Sequence, residues 1–164
     1  MEHIIVEGPD RSGKSTLIEM LQDEIPELAE WDNKHHGPYP NGIVAFENYY
    51  DDLGKKKIIF DRMFLSEQVY SRVLHRPYMG IGLNDVLSIR LRGPVIFCMP
   101  PKQEVLDNWT KDEFVTYEQL DQIYDYFELL STQSFSYPTF VYDFRNPETF
   151  DILAQSLLVR LQSW

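Results

Sequence analysis

A chain of 164 residues has room for one compact domain, and its 43% hydrophobic and 14% aromatic content supplies a core, which excludes intrinsic disorder. Its 26 acidic and 15 basic residues leave a formal net charge of -11, the wrong sign for a surface that tracks a nucleic-acid backbone. An anionic ligand must therefore be held by a local cluster of donors, a condition that free nucleotides meet better than a nucleic acid polymer does.

Residues 3–7 (HIIVE) form a short β-branched apolar run that reads as a buried central strand. No basic region leading into an apolar signal core precedes it, so cytoplasm is the expected compartment. A Gly/Pro/polar loop covers 8–15, after which Leu17, Ile18, Leu21 and Ile25 recur at helical spacing until Pro26 stops them. Residues 26–42 read as irregular, with a short strand near Asn33–His36, and Ile43 to about Lys55 as an aromatic-rich amphipathic helix. Lys57–Asp61 (KIIFD) is a second apolar strand that ends on a carboxylate. A helix over 64–75 breaks at Arg76-Pro77, and one over 84–91 ends at Gly93-Pro94. Val95–Met99 is the next strand, closed by Pro100-Pro101; helices at about 102–109 and 117–131, a strand at Thr139–Tyr142 and a helix at 148–162 complete the chain.

Strands that alternate with helices over the whole length predict an α/β fold: a parallel five-stranded sheet flanked by helices in three layers, with right-handed crossovers. No repeat, low-complexity tract or linker divides residues 1–164, so one domain is expected. No apolar stretch reaches the ~18 residues of a membrane span. Cys98 lacks a CxxC partner and lies inside an apolar strand, where a buried structural thiol is expected.

Chemistry concentrates near the start. Gly8-Pro9-Asp10-Arg11-Ser12-Gly13-Lys14-Ser15, followed by Thr16, satisfies G-x-x-x-x-G-K-[ST] between an apolar strand and an amphipathic helix. Glycines let consecutive main-chain N–H groups face one anion, and the helix N-terminus adds its partial positive charge. Lys14 then reaches the β and γ phosphates of ATP, while the Ser15 hydroxyl can ligate Mg²⁺. A GTPase would need N-K-x-D, and the nearest run, Asn33-Lys34-His35-His36, lacks the Asp. Motor ATPases are usually larger. A small-molecule kinase of P-loop type is the expected class.

Glu7 to Thr16 resembles the E-G-x-D-R-x-G-K-S-T loop of thymidylate kinases, and Asp61 to Tyr70 is similar to the D-R-x-x-L-S-E-x-V-Y run of phage-type nucleotide kinases. The resemblance implies an ATP-dependent deoxynucleoside monophosphate kinase, with dTMP as acceptor, Mg²⁺ as cofactor and a homodimer as a common assembly. It also implies roles. Asp10 would bond the sugar 3′-hydroxyl, and Arg11 would reach the transferring phosphoryl group from the loop. Asp61 would hold Mg²⁺ or its water, Arg62 would clamp the acceptor phosphate, and Ser66 belongs to the same block. Tyr70 would crowd a 2′-hydroxyl, although it also fits a helix face with Leu65, Val69 and Val73. A short lid is expected at about 109–118, with one lysine and no arginine.

The chain also departs from that family. An F-x-x-N-R run on the helix before the Asp-Arg strand is absent; Phe46-Glu47-Asn48-Tyr49-Tyr50 stands there instead, so Phe46, Tyr49 or Tyr50 could stack on a base of any kind. His36 is placed to line the acceptor pocket. Neighbouring residues of an extended chain face opposite ways, so His35 and His36 should not chelate one metal. Arg72 and Arg76 could add phosphate or base contacts from beyond Arg62. The rivals to this reading are a deoxynucleoside kinase acting on a 5′-hydroxyl and a nucleotide-binding regulator without turnover.

Overall fold

The computed structural model describes residues 1–162 apart from Pro38, Met79, Asp112 and Glu113, together with the backbone but not the side chain of Ile81. Thus Pro38 beside the histidine pair, and Asp112 and Glu113 within the expected lid, lie outside the described residues. Five strands, β1 (His3–Glu7), β2 (Asp32–His35), β3 (Ile58–Asp61), β4 (Val95–Cys98) and β5 (Thr139–Tyr142), form one sheet in the order β2-β3-β1-β4-β5. Every pairing is parallel, and Ile4 opposite Ile59 and Val6 opposite Ile96 set the register at the centre.

Handedness decides where the helices go. The connection from β1 to β2 runs one way across the sheet, and every later connection runs the other way. Right-handed crossovers therefore put α1 (Lys14–Glu24) on one face and α2 (Gly42–Asp52), α3 (Phe64–Val73), α4 (Ile81–Arg90), α5 (Lys102–Asp107) and α6 (Tyr117–Ser131) on the opposite face. α7 (Pro147–Gln162) follows β5 and returns beside α1. The two cores show this division. Ile4, Val6, Ile59, Ile96 and Cys98 pack with Leu17, Leu21, Leu153 and Leu157, whereas Ile5, Ile58, Phe60, Val95 and Phe97 pack with Tyr49, Phe64, Leu87 and Phe127. Alternate residues of each strand serve opposite layers, so strands buried on both faces read as unbroken apolar runs.

Local chemistry sets the boundaries. α3 stops at Val73, two residues earlier than the sequence pattern suggests. His75 turns left-handed (φ 52°) and the Arg76 N–H donates to Ser71 O at 2.9 Å, the six-to-one closure of a Schellman cap. α4 begins three residues before its expected start, after Gly80, because the Gly80-Ile81-Gly82 run masks its first turn. The irregular stretch after α1 contains a 3₁₀ turn at Pro26–Leu28. A Cβ on Gly93 would lie 1.7 Å from His3 O, so only glycine lets the chain cross the start of β1 there. Among the described residues, no helix is long and apolar enough to cross a membrane.

Candidate active site

The turn from β1 into α1 is a nest of main-chain amides. Gly8 (φ 147°), Arg11 (φ 64°) and Gly13 (φ 85°) turn the backbone left-handed at intervals, and a Cβ on Gly8 would meet Cys98 O at 2.7 Å. The carbonyl of β4 thus lies directly behind the loop. Inside it, the Ser12 hydroxyl donates to Pro9 O at 2.9 Å, and Lys14 Nζ donates to the same oxygen at 2.6 Å. Burial, with Arg62 nearby, pushes the Lys14 ammonium down to about 8, despite the opposing pull of Asp10 and Asp61. A lysine so destabilised as a cation gains from an incoming polyphosphate.

Two carboxylates close the strands on either side. Asp61 ends β3, and the Ser15 hydroxyl donates to its Oδ2 at 3.3 Å; its Oδ1 is buried with no hydrogen-bond partner. That orphaned oxygen beside a hydroxyl fits a hard divalent cation. Among the described residues no cluster of three or more His, Cys, Asp or Glu could bind a metal alone, so phosphate oxygens and water would have to complete the shell, as suits Mg²⁺. Glu7 ends β1 and is fully buried. Its Oε1 accepts the N–H groups of Met63 (3.1 Å) and Leu65 (3.2 Å), and its Oε2 accepts the Ser66 hydroxyl. Glu7 therefore caps α3 from a strand more than fifty residues away and fixes the helix that carries Ser66 and Tyr70.

Asp10 gathers the third group. Its carboxylate pairs with Arg62 and accepts the Tyr70 hydroxyl at 2.9 Å, while the Asp10 N–H donates to that hydroxyl at 3.1 Å. Burial opposes ionisation of Asp10, but Arg62 and Lys14 prevail and hold the carboxyl below its ordinary range. Arg62 is itself left-handed (φ 70°), pinned by its N–H to Val6 O at 2.9 Å, and its guanidinium lies 5.1 Å from the Tyr70 ring centre. The Tyr70 ring packs in the core near Phe127, on the helix face its spacing suggests, and its hydroxyl reaches the loop.

Two cavities meet at this loop. One, about 480 Å³, is lined among others by Asp10, Arg62, Ser66, Tyr70, His36 and Arg76, and by Tyr49, Glu67 and Phe114. The other, about 500 Å³, lies across the loop between α1 and the β5–α7 turn and is lined by Arg11, Gly13, Thr16, Tyr142, Phe144 and Phe150. The Phe144 ring stands 3.1 Å from a Cβ placed on Gly13, close enough to serve as a platform for a flat ligand.

The sequence-predicted residues separate accordingly. Asp10, His36, Arg62, Ser66, Tyr70 and Arg76 share the first cavity, while Arg11, Gly13 and Thr16 share the second. Ser12 and Gly8 shape the loop. The Phe46 and Tyr50 rings meet tilted, their centres 5.6 Å apart, with the Arg90 guanidinium 3.9 Å from the Tyr50 ring centre, and neither lines either of these two cavities. The histidines diverge as extended chain requires: His35 Nδ1 lies 3.2 Å from Asp61 Oδ2, whereas buried His36 places Nε2 3.3 Å from Asp52. Of the three aromatics the sequence offered on α2, Tyr49 alone lines the first cavity; sequence reasoning gave no role to Glu7 or Glu67, which stand in the two motif runs, and did not mark Phe114 or Phe144 for these positions. Of the expected lid, Phe114 is 71% exposed at the mouth of the first cavity, and Trp109 Nε1 donates to Val115 O at 2.9 Å behind it.

No protein-family model matches the chain, and no curated protein does. Solved structures do match. The YorR protein of Bacillus subtilis, in complex with phosphorylated GDP, aligns over 98% of this chain and 95% of its own with a TM-score of 0.75 at 18% identity. Deoxyadenosine kinase from M. mycoides with bound dATP covers 94% of this chain and 98% of its own, with a TM-score of 0.58 and 14% identity. Thymidylate kinase from Ehrlichia chaffeensis covers 98% of both chains, with a TM-score of 0.51 and 14% identity. At such identities the likeness is one of fold. The chain has the three-layer parallel α/β fold that these proteins, two kinases among them, share.

Proposed function

We propose that the chain transfers the γ-phosphoryl group of ATP to the phosphate of a deoxynucleoside monophosphate. The observation that carries this reading is the pair of nucleotide-sized cavities on either side of one phosphate loop. ATP lies with its base against Phe144 and its phosphates in the loop amides beside Lys14. The acceptor lies in the first cavity with its phosphate on Arg62 and its sugar near Asp10 and Tyr70. The thymidylate-kinase resemblance of the loop makes dTMP the first acceptor to test. Solved structures of like fold that hold phosphorylated GDP and dATP support a nucleotide as ligand.

Phosphoryl transfer asks chiefly for alignment and compensation of charge. The loop amides, Lys14 and Arg11 hold the donor phosphates, and the Arg62 fork aims the acceptor oxygen at them. That oxygen is already anionic near neutral pH, so no strong general base is required. Ser15 and Asp61 would hold Mg²⁺, which supplies charge neutralisation to the donor when bound. Phe114 restricts water at the acceptor mouth. We place the activity in the cytoplasm, on one domain spanning residues 1–164, with a homodimer as the assembly to examine.

The decisive experiment is ADP release from Mg·ATP with each natural deoxynucleoside monophosphate. No release with any of them would end this reading. Arg62→Ala should raise the acceptor KM by about 100-fold while the ATP KM moves less than about threefold, since a charge-assisted phosphate clamp is lost on one side only. Phe144→Ala should do the converse: we expect the ATP KM to rise about tenfold, from loss of one stacking surface, with the acceptor KM unchanged. A second reading, transfer to the 5′-hydroxyl of a deoxynucleoside, is favoured by the higher TM-score to deoxyadenosine kinase than to thymidylate kinase. The same assay with deoxynucleosides separates the two.

A further inference from the structure

We propose that Glu67 and Arg76 read the acceptor base, and that this pair favours a base carrying an exocyclic amino group over thymine. The inference rests on the first cavity being the acceptor site, and it deepens that reading by naming the base class.

Glu67 is 6% exposed, yet it lines the cavity. Among the described residues its carboxylate has one hydrogen-bond donor, the hydroxyl of Ser71, a turn further along α3, at 3.0 Å from Oε1. Among the described residues no Lys or Arg forms an ion pair with it. A buried carboxylate with a single hydroxyl donor is costly unless a further donor arrives. On the same cavity wall Arg76 has a buried Nε with no hydrogen-bond partner. The two groups do not satisfy each other. Buried Tyr49 stands beside them and gives a flat ligand an aromatic wall.

A carboxylate only accepts and a guanidinium only donates, so the ligand edge that fills both must present a donor beside an acceptor. Cytosine offers N4–H beside N3, and adenine offers N6–H beside N1 or N7. Guanine offers N1–H and N2–H together to one carboxylate, with O6 left for the guanidinium. Thymine has a donor too, but its N3–H sits between O2 and O4. A carboxylate accepting that hydrogen faces a carbonyl oxygen on each side, and like partial charges repel. Each N–H of an amino group has a ring acceptor on one side at most, its other neighbour being the second N–H, so the carboxylate meets it without that clash. The loop resemblance suggests dTMP, whereas the cavity wall argues for an amino-bearing base.

The test compares kcat/KM for dAMP, dCMP, dGMP and dTMP with Mg·ATP in the wild-type chain and in Glu67→Gln. Wild type should prefer at least one amino-bearing monophosphate to dTMP by about 10-fold or more. Glu67→Gln, which can both donate and accept, should lower that best substrate by about 30-fold and dTMP by less than about threefold. A wild type that prefers dTMP, or a folded Glu67→Gln with an unchanged ranking, overturns the proposal. Should no monophosphate be turned over, the kinase reading fails by itself. Calorimetric titration of the same four nucleotides into both proteins then ranks the bases by affinity, with the same two outcomes deciding. If Glu67→Gln does not fold, Arg76→Met takes its place and should compress the ranking in the same direction.

Discussion

Replacing Lys14 by Ala should lower turnover by about 10³-fold while the thermal unfolding temperature stays close to that of wild type. The size follows from removing one preorganised cation from a dry site where charge develops on the transferring group. The fold is spared because the ammonium serves the loop: among the described residues its one hydrogen bond is to Pro9 O, and burial already disfavours its charge. A pH signature accompanies the loss. With the free lysine held down to about 8, a growing fraction is neutral as pH rises past that value, whereas a bound polyphosphate favours the charged form. ATP affinity should therefore fall as pH climbs above about 8, and binding there should take up a proton. Calorimetry in buffers of different ionisation enthalpy measures that uptake. Lys14→Ala should show none, and a variant that kept it would remove Lys14 from its assigned place.

Glu7→Ala should destabilise the chain by about 4 kcal/mol, lowering the unfolding temperature by roughly 10 °C. Truncation leaves two main-chain N–H groups and the Ser66 hydroxyl without their acceptor in the core, and it opens a void behind the loop. Glu7→Gln keeps an acceptor for the amides and should cost less than about 1.5 kcal/mol. Burial, against the pull of the Ser66 and Met63 donors, pushes the Glu7 carboxyl up to about 7 from 4.5. Between those values the folded chain keeps a proton that the unfolded chain has released. This group's contribution to stability therefore declines as pH rises from about 4.5 to about 7. Urea titrations across that range should show the decline removed in Glu7→Gln. A Glu7→Ala variant within about 1 kcal/mol of wild type would mean that α3 is positioned by packing alone.

The sheet, its helices and the phosphate loop were legible because each is written in adjacent residues: apolar runs for doubly buried strands, helical spacing for α1 and α6, and G-x-x-x-x-G-K-S for the nest. The rest of the site is assembled across the sheet. Glu7 looks like the polar end of a strand until α3 arrives from the β3 side to be capped. Glu67 resembles any charge on an amphipathic helix, and its burial depends on how α3 meets the cavity. Phe144 belongs to a loop after the last strand, brought to Gly13 by the return of α7 beside α1. Phe46 and Tyr50 show the opposite difficulty. The family comparison put a base platform on this helix, but α2 turns these two towards Arg90, and Tyr49, the third aromatic of the run, takes the cavity wall.

The pairing of Arg62 with Asp10 sets a condition of entry for the acceptor. The guanidinium that would grip the incoming phosphate already has a counter-ion, itself tethered by the Tyr70 hydroxyl. A ligand must displace that carboxylate before it can be aligned. A dianionic headgroup can do so; a neutral sugar hydroxyl brings no charge to exchange. Sulfate or inorganic phosphate should accordingly compete with the acceptor. The first act of selection is thus a contest between anions, settled before any base is inspected.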